Sequence, residues 1–207
     1  RDLGIFVISS ATTVEEARFL ESRGADAVIA QGTEAGGHRG TFTDTDISMQ
    51  PGLFALLPQV VDAVDVPVIA AGGIADGRAV AAALMLGASA VQVGTAFLRC
   101  TEARVDDSHR QALGDAGDHS TVVSDVVSGR PARFIKNRLI SELTKPGIEP
   151  LPFPAQMGLT KPLEATGDGQ LSALYAGQSV ALSRDMAAAD LIHTLAEETQ
   201  HCFNRFG

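Results

Sequence analysis

The chain has 207 residues, of which 45% are hydrophobic and 20% are charged, and its formal net charge at pH 7 is −9. A chain of this length and apolar content buries a sizeable core, either as one domain or as part of a larger one. The negative charge and the lack of Lys and Arg clusters argue against nucleic acid as a partner. No apolar segment approaches the ~20 residues that span a bilayer, so we expect no membrane partner either.

The two cysteines, Cys100 and Cys202, lie far apart in the sequence. Their spacing matches no zinc-binding or redox motif, and we expect no metal site. Two free thiols are typical of the reducing cytoplasm, which is the compartment we predict. The chain starts at Arg1 rather than at a methionine and enters a predicted strand almost at once. We interpret this start as the sign of a missing N-terminal part.

The first half of the sequence alternates between strand and helix patterns. Short apolar runs predict strands, and each is followed by a turn and an amphipathic segment that predicts a helix. The predicted strands are residues 3–8, 26–30, 67–71 and 89–93, and the predicted helices are residues 14–23, 52–64, 77–86 and 96–99. Because these strands are apolar along their whole length, they indicate an α/β protein whose parallel sheet is covered by helices.

Two architectures fit this alternation, a doubly wound open sheet and a (β/α)8 TIM-type barrel. We favour the barrel because glycine turns, Gly72-Gly73 and Gly94-Thr95, follow the last two strands, where such barrels commonly bind phosphate. Neither turn has P-loop or Rossmann spacing. On this interpretation residues 1–104 are the C-terminal half of the barrel, and the N-terminal strands are missing.

Residues 105–207 predict an additional, mostly helical segment that covers the barrel mouth and packs on its outside. The predicted helices are residues 106–116, 132–143 and 184–199, and residues 121–124 are predicted to be extended. Residues 146–162 contain five prolines, which argue against a long regular element. Phe153, Met157 and Lys161 recur at a spacing of four, which places them on one face of a short helix. They either cover the mouth, or the first two pack on the barrel with Lys161 in water.

The loop at residues 31–40 places His38 among four glycines. Each glycine costs about 0.5–1 kcal/mol relative to alanine in a regular element, so this loop predicts a close approach of the backbone to a ligand. His38 is either a base at the mouth or a solvated side chain. Glu34 either orients His38 or is a solvated charge. Arg39 either attracts an anionic substrate or is a surface residue, and we favour the surface interpretation.

Gln31 and Gln92 both end predicted strands. Their amides either contact a cofactor ring or hydrogen-bond the loop backbone. The two glycine turns suit the phosphate of flavin mononucleotide (FMN) better than that of a dinucleotide.

Three segments, residues 30–40, 70–77 and 91–97, resemble the nitronate monooxygenase family, formerly called 2-nitropropane dioxygenase. The similarity continues into residues 154–161 and 176–178. This resemblance implies an FMN-dependent oxidoreductase that uses O2 to oxidise alkyl nitronates, such as propionate 3-nitronate, to a carbonyl compound and nitrite, and so detoxifies them.

The resemblance also implies roles for individual residues. His38 becomes the catalytic histidine and a substrate contact. The implied FMN contacts are Gln31, Gly36, Gly73, Gln92, Val93, Gly94 and Thr95, and the further implied substrate contacts are Phe153, Met157 and Lys161. The family often has tyrosines where this chain has Phe153 and Met157, so roles that need a hydroxyl do not transfer.

Other functions stay open beside this one. A flavin-dependent enoyl-acyl-carrier-protein reductase shares the glycine-histidine core, and an NAD(P)H:quinone reductase belongs to the same superfamily. The reductase tends to have an acidic residue in place of Gln31 and an apolar residue in place of Arg39, which favours the monooxygenase. A hypothesis of a different class, outside the enzymes, is that the chain is a truncated, non-catalytic fragment. Its partner is the missing N-terminal half or a second copy of the chain.

Overall fold

The computed structural model describes residues 4–43 and 46–206. Strands and helices alternate in the first half, as the apolar pattern predicts. In chain order these elements are β1 (Ile8–Ala11), α1 (Val14–Ser22), β2 (Ala27–Gln31), β3 (Gly37–His38), α2 (Leu53–Val61), β4 (Val68–Ala71), α3 (Gly77–Met85) and β5 (Ala90–Gln92). The later elements are α4 (Asp107–Asp115), β6 (Thr121–Ser124), β7 (Ala132–Ile135), α5 (Arg138–Leu143), α6 (Ala155–Glu164) and α7 (Ala188–Phe206).

The main sheet has four parallel strands in the order β1-β2-β4-β5, which is the order of the chain. Buried side chains on one face, among them Val28, Ala30 and Val68, pack against α1, α2 and α3. A doubly wound sheet reverses its strand order and carries helices on both faces, and among residues 4–43 and 46–206 the sheet shows neither feature. The predicted α/β class with a parallel sheet is therefore confirmed, and the sequential strand order favours the barrel over the doubly wound alternative.

The other face of this sheet is only partly covered. Ser10, Ile29, Ile69 and Ala90 lie side by side across the strands. Ile29 and Ile69 are half-buried and Ala90 is exposed, whereas Val28, Ala30, Val68 and Ala70 on the helix face are buried. Within the described residues, β1 and β5 are the outer strands of the sheet and have no further partner.

The first strand lies later than predicted. Residue 3 of the predicted strand 3–8 is outside the described residues, and pairing with β2 begins at Ile8, which lies opposite Ala27. The backbone N–H of Val7 donates to the carboxylate of Asp26 at 2.8 Å, and not to a backbone carbonyl of a neighbouring strand. Phe6, expected inside the strand, is 66% exposed.

A second sheet is antiparallel and has the order β3-β7-β6. The predicted helix at 132–143 is wrong in its first part, because Ala132–Ile135 is a strand between two partners and α5 begins only after Asn137. All four residues of β7 are buried, so tertiary pairing overrides the local helical pattern. The extended segment at 121–124 is confirmed as β6.

The two last helices differ in extent from their predictions. The proline-rich segment contains the ten-residue helix α6, which begins after Pro154 and holds Pro162 near its end. This is the short helix predicted from the spacing of Phe153, Met157 and Lys161, except that Phe153 lies before its start. The final helix runs over Ala188–Phe206 rather than over 184–199. None of the described helices is both long enough and apolar enough to cross a bilayer.

Candidate functional site

The carboxyl ends of β2, β4 and β5 open into one cleft of about 260 Å³. Its walls are the glycine turns that follow these strands and the segment around residue 176. Residues at the mouth include Gly36, Gly73, Gln92, Gly94, Thr95 and Tyr175. Ligands of parallel α/β folds bind at this end of the strands. The arrangement therefore defines a candidate ligand site.

The glycine turns leave backbone donors free at the cleft. Gly72 and Gly73 have φ values of 113° and 70°, a left-handed region that glycine adopts without strain. The N–H groups of Gly73 and Gly94 donate to no other residue in the described part of the chain. A Cβ built on Gly94 would meet nothing within 4 Å, so the space beside that turn is open. These features fit an anionic group such as a phosphate.

A second glycine contact closes the opposite wall. A Cβ on Gly36 would lie 2.5 Å from the backbone nitrogen of Gly177, so only glycine allows the two segments to approach this closely. The N–H of Gly177 also donates to Thr95 Oγ1 at 2.8 Å. Three separate parts of the chain thus meet at the cleft.

His38 lies on β3, beside this cleft. Its Nε2 is 2.8 Å from Ser128 Oγ. Its ring centroid lies 5.7 Å from that of Tyr175 and 5.9 Å from that of Phe153. Burial, and then the charge of Arg130, lower the pKa of the imidazole below its usual value. His38 is therefore neutral at neutral pH and chemically able to accept a proton.

Arg39 is 1% exposed, so its interpretation as a surface residue is wrong. Its guanidinium donates to the carbonyl oxygens of Gly32 at 2.6 Å and Gln31 at 3.0 Å, and to Gln50 Oε1 at 3.0 Å. Burial, and then the charge of Arg133, lower the pKa of Arg39 to about 10, which still leaves it charged at neutral pH. The glycine-rich loop is thus held by a buried cation.

Gln31 and Glu34 both have structural partners. The Gln31 amide donates to the His38 carbonyl at 3.2 Å and accepts from the Gly40 N–H at 2.8 Å, which is the loop-backbone role. Glu34 accepts from the N–H of Leu53 at the start of α2, at 2.9 Å to each oxygen. Glu34 therefore neither orients His38 nor stands as a solvated loop charge.

The remaining predicted residues divide between the cleft and its surroundings. Gln92 is exposed and lines the cleft. Val93 packs instead against two groups of buried apolar side chains, one around Val68 and Ala70 and the other around Ala96 and Leu191. Phe153 precedes α6 and approaches His38 edge-on. Met157 is half-buried on α6, and Lys161 is exposed and lies outside the cleft lining.

Two residues at the site escaped the sequence analysis. Tyr175 is the single tyrosine of the chain, and that rarity was a usable signal. Its ring packs on Phe134 at 4.7 Å as well as on His38. Ser128 carries no local signal, because it lies 90 residues from His38 in the sequence.

Fold and cleft define an α/β protein with a ligand site at the carboxyl ends of its parallel strands. Residues 1–198 match the family model described as nitronate monooxygenase. The chain therefore belongs to the nitronate monooxygenase family, as its motifs predict.

Individual relatives agree with this assignment. A nitronate monooxygenase from Pseudomonas aeruginosa is 45% identical over 201 residues, which are 95% of this chain and 57% of the relative. A probable nitronate monooxygenase from Staphylococcus saprophyticus is 42% identical over 97% of this chain and 58% of the relative. The chain thus spans somewhat more than half the length of these relatives.

Solved structures show the same similarity. The nitroalkane oxidase from Streptomyces ansochromogenes superposes with a TM-score of 0.93 at 42% identity, over 100% of this chain and 61% of that one. FabK from Thermotoga maritima superposes with a TM-score of 0.83 at 30% identity, over 99% of this chain and 64% of that one.

Proposed function

We propose that this chain carries the cofactor cleft and the active-site histidine of an enzyme that oxidises alkyl nitronates with O2. Two nitronate anions and one O2 give two carbonyl compounds and two nitrite ions, so each carbon gains one oxygen atom as its C–N bond breaks. The observation that carries the proposal is the position of His38, whose pKa burial lowers, beside a cleft with free backbone donors.

FMN is the cofactor we propose for this cleft. The free N–H groups of Gly73 and Gly94 and the hydroxyl of Thr95 suit its phosphate, and the open space beside Gly94 admits it. Gly36 and Gln92 line the same cleft, where the flavin ring would lie, and Gln31 shapes the wall through its loop contacts. When bound, FMN supplies electron transfer between the nitronate and O2.

The protein side chains bind the substrate and move its proton. His38 removes the α-proton when the substrate is a neutral nitroalkane, because its imidazole is uncharged at neutral pH. The charge of Arg130, which acts on His38, also favours an anionic nitronate nearby. We propose that Phe153 and Met157 provide apolar walls and that Lys161, on the same helix as Met157, attracts the substrate anion.

We further propose that residues 1–104 are the second half of a (β/α)8 barrel and that residues 105–207 cover its mouth and pack on its outside. The sequential strand order, the half-buried Ile29 and Ile69 and the unpaired edges of β1 and β5 support this arrangement. Both edges would pair with strand-helix units that correspond to the remainder of the longer relatives.

A flavin-dependent enoyl reductase is the second candidate function. The similarity to FabK, at 30% identity over 99% of this chain, is the observation that favours it. Both reactions would use the same cleft, so the electron donor (nitronate or NAD(P)H) and the electron acceptor (O2 or an enoyl group) separate them.

The test is oxygen uptake by the purified protein supplied with FMN, propionate 3-nitronate and no NAD(P)H. We expect O2 consumption with release of nitrite. A parallel assay replaces the nitronate with NAD(P)H. Oxidation of NAD(P)H there, without any response to nitronate in the first assay, would contradict the proposal and favour the reductase. A protein that binds flavin but is inert to both donors would contradict both candidate functions.

A further inference from the structure

A buried serine lies against the active-site histidine. Ser128 is 1% exposed, and its Oγ is 2.8 Å from His38 Nε2. The same Oγ is 3.0 Å from the carbonyl oxygen of Arg130, to which it donates.

The two contacts of Ser128 determine the tautomer of His38. A serine hydroxyl has one proton and two lone pairs, and the carbonyl of Arg130 accepts but cannot donate. The proton of Ser128 therefore points to Arg130, and Ser128 Oγ must accept from His38 Nε2. The opposite arrangement would bring two acceptors together at 3.0 Å, an unfavourable contact.

The second ring nitrogen is left available. Within the described residues, His38 Nδ1 has no hydrogen-bond partner, and it is not among the buried atoms that lack one. Solvent or a bound molecule therefore reaches Nδ1. Since Nε2 carries the proton, the lone pair of the neutral ring is on Nδ1.

The segment that holds Ser128 is braced by α6. Gln156 Nε2 donates to the Val126 carbonyl at 2.6 Å, and Thr160 Oγ1 donates to the Val127 carbonyl at 2.9 Å. A Cβ on Gly129 would lie 2.2 Å from the carbonyl oxygen of Leu151, so this turn packs directly against the segment before α6. Ser128 is thus fixed in position before any ligand binds.

We propose that Ser128 is a positioning residue that holds His38 in the Nε2–H tautomer and presents Nδ1 as the base. This role rests on the proposed oxidation of nitroalkanes and nitronates. The α C–H proton of the nitroalkane passes to Nδ1, and the electron pair of that bond moves onto the nitro group. The products of the step are a nitronate anion and an imidazolium held by Ser128 and the substrate.

The first test is the imidazole ¹⁵N spectrum of the purified protein labelled in histidine, at a pH where His38 is neutral. The His38→Gln variant identifies the His38 signals among those of the five histidines. We expect a protonated Nε2 with slowed proton exchange and an unprotonated Nδ1. In Ser128→Ala the slowed exchange should be lost, whereas Ser183→Ala, a buried serine elsewhere, should leave it unchanged. A proton on Nδ1 in the unaltered protein would overturn the proposal, and this measurement needs no enzyme activity.

The second test compares two substrates. Ser128→Ala should lower kcat/KM for a neutral nitroalkane about tenfold, the effect of one hydrogen bond, with a smaller loss for the preformed nitronate. Ser128→Thr, which keeps the hydroxyl, should restore the nitroalkane activity. Equal losses for both substrates would mean a purely structural role and would overturn the proposal. A correct tautomer in a protein inert to both substrates would refute the proposed function and, with it, the catalytic role of Ser128.

Discussion

At His38, burial and the nearby charge of Arg130 both disfavour the imidazolium, and so the pKa of the ring is lowered. The glycines around this residue make it recognisable in the sequence as a site residue. Its partner Ser128 is brought next to it by the pairing of β3 with β7, and this long-range pairing cannot be predicted from local sequence patterns. The burial of Arg39 is equally hard to predict from the sequence, because charged residues are rarely buried without an oppositely charged partner. Here backbone carbonyl oxygens accept from the guanidinium in place of a carboxylate.

His38→Ala should lower kcat/KM for neutral nitroalkanes by about 10²–10⁴-fold, the usual contribution of a positioned base. Preformed nitronates need no proton removed, so part of their turnover should survive. Steady-state oxygen uptake with both substrates measures the difference. Equal loss of the two activities would exclude a general-base role.

The pH dependence of nitroalkane turnover follows from the lowered pKa of His38. The pKa of His38 lies below its ordinary value of 6.5. Nitroalkane turnover should therefore persist as the pH falls through 6.5 and decline only at lower pH, when His38 becomes protonated. A pH profile of kcat/KM with a midpoint above 6.5 would contradict this assignment.

Among the elements, α1 anchors the loop that follows β3. Glu16 is fully buried, and its Oε1 accepts from the N–H groups of Phe42 at 2.7 Å and Thr43 at 3.1 Å. Its Oε2 accepts from the N–H of Thr12 at 2.6 Å. Burial alone would raise the pKa of this carboxyl, but the hydrogen bonds from Thr12, Phe42 and Thr43 together lower it to about 2.

Glu16→Gln should destabilise the protein by about 3 kcal/mol, because the amide cannot accept this many donors. The stabilisation by Glu16 is present above the unfolded pKa of 4.5 and is lost as the pH falls towards 2, so the variant should also lose less stability over that range. Urea unfolding at several pH values measures both effects. Glu15→Gln, an exposed neighbour on α1, is the control. A Glu16→Gln variant as stable as this control would contradict the account.

Some secondary-structure elements can be predicted from local sequence patterns, and others depend on contacts with distant parts of the chain. The strand-helix units of the parallel sheet are locally encoded by apolar runs and by caps such as Thr13 and Asp76. Their prediction is confirmed except that the first strand lies later than predicted and that the predicted helix at 96–99 is a 3-10 helix, Thr95–Arg99. The prediction of a helix at β7 is wrong, because this strand depends on pairing with two distant strands. The short helix predicted around Met157 and Lys161 forms as α6, although Pro162 lies near its end.

At the scale of the whole molecule, the main feature is that β1 and β5 each have one edge without a strand partner in the part of the chain that the structure describes. Phe6 is 66% exposed just before β1, and Ile8 is 47% exposed at its start. Unpaired strands with apolar side chains associate with other strands. The same edges are where further strand-helix units would complete a barrel.

The purified protein should therefore self-associate as its concentration rises. Phe6→Lys should weaken this association, whereas Phe54→Lys, at a side chain that is 73% exposed on α2, should not. Size-exclusion chromatography with light scattering follows the mass. A monomer at every concentration would contradict the proposal that these edges are pairing surfaces.

FMN titration followed by flavin fluorescence tests the central claim, that the cleft at the strand ends is a flavin site. Gly94 has a φ of −112° and open space around its Cβ position, so Gly94→Leu should fold normally while its side chain fills the cleft. Gly158→Leu, at an exposed glycine on α6 with equally open space, is the matched control. We predict that the unaltered protein and the control quench the flavin and that Gly94→Leu does not. Equal binding by all three proteins, or binding by none, would contradict a flavin site in this cleft.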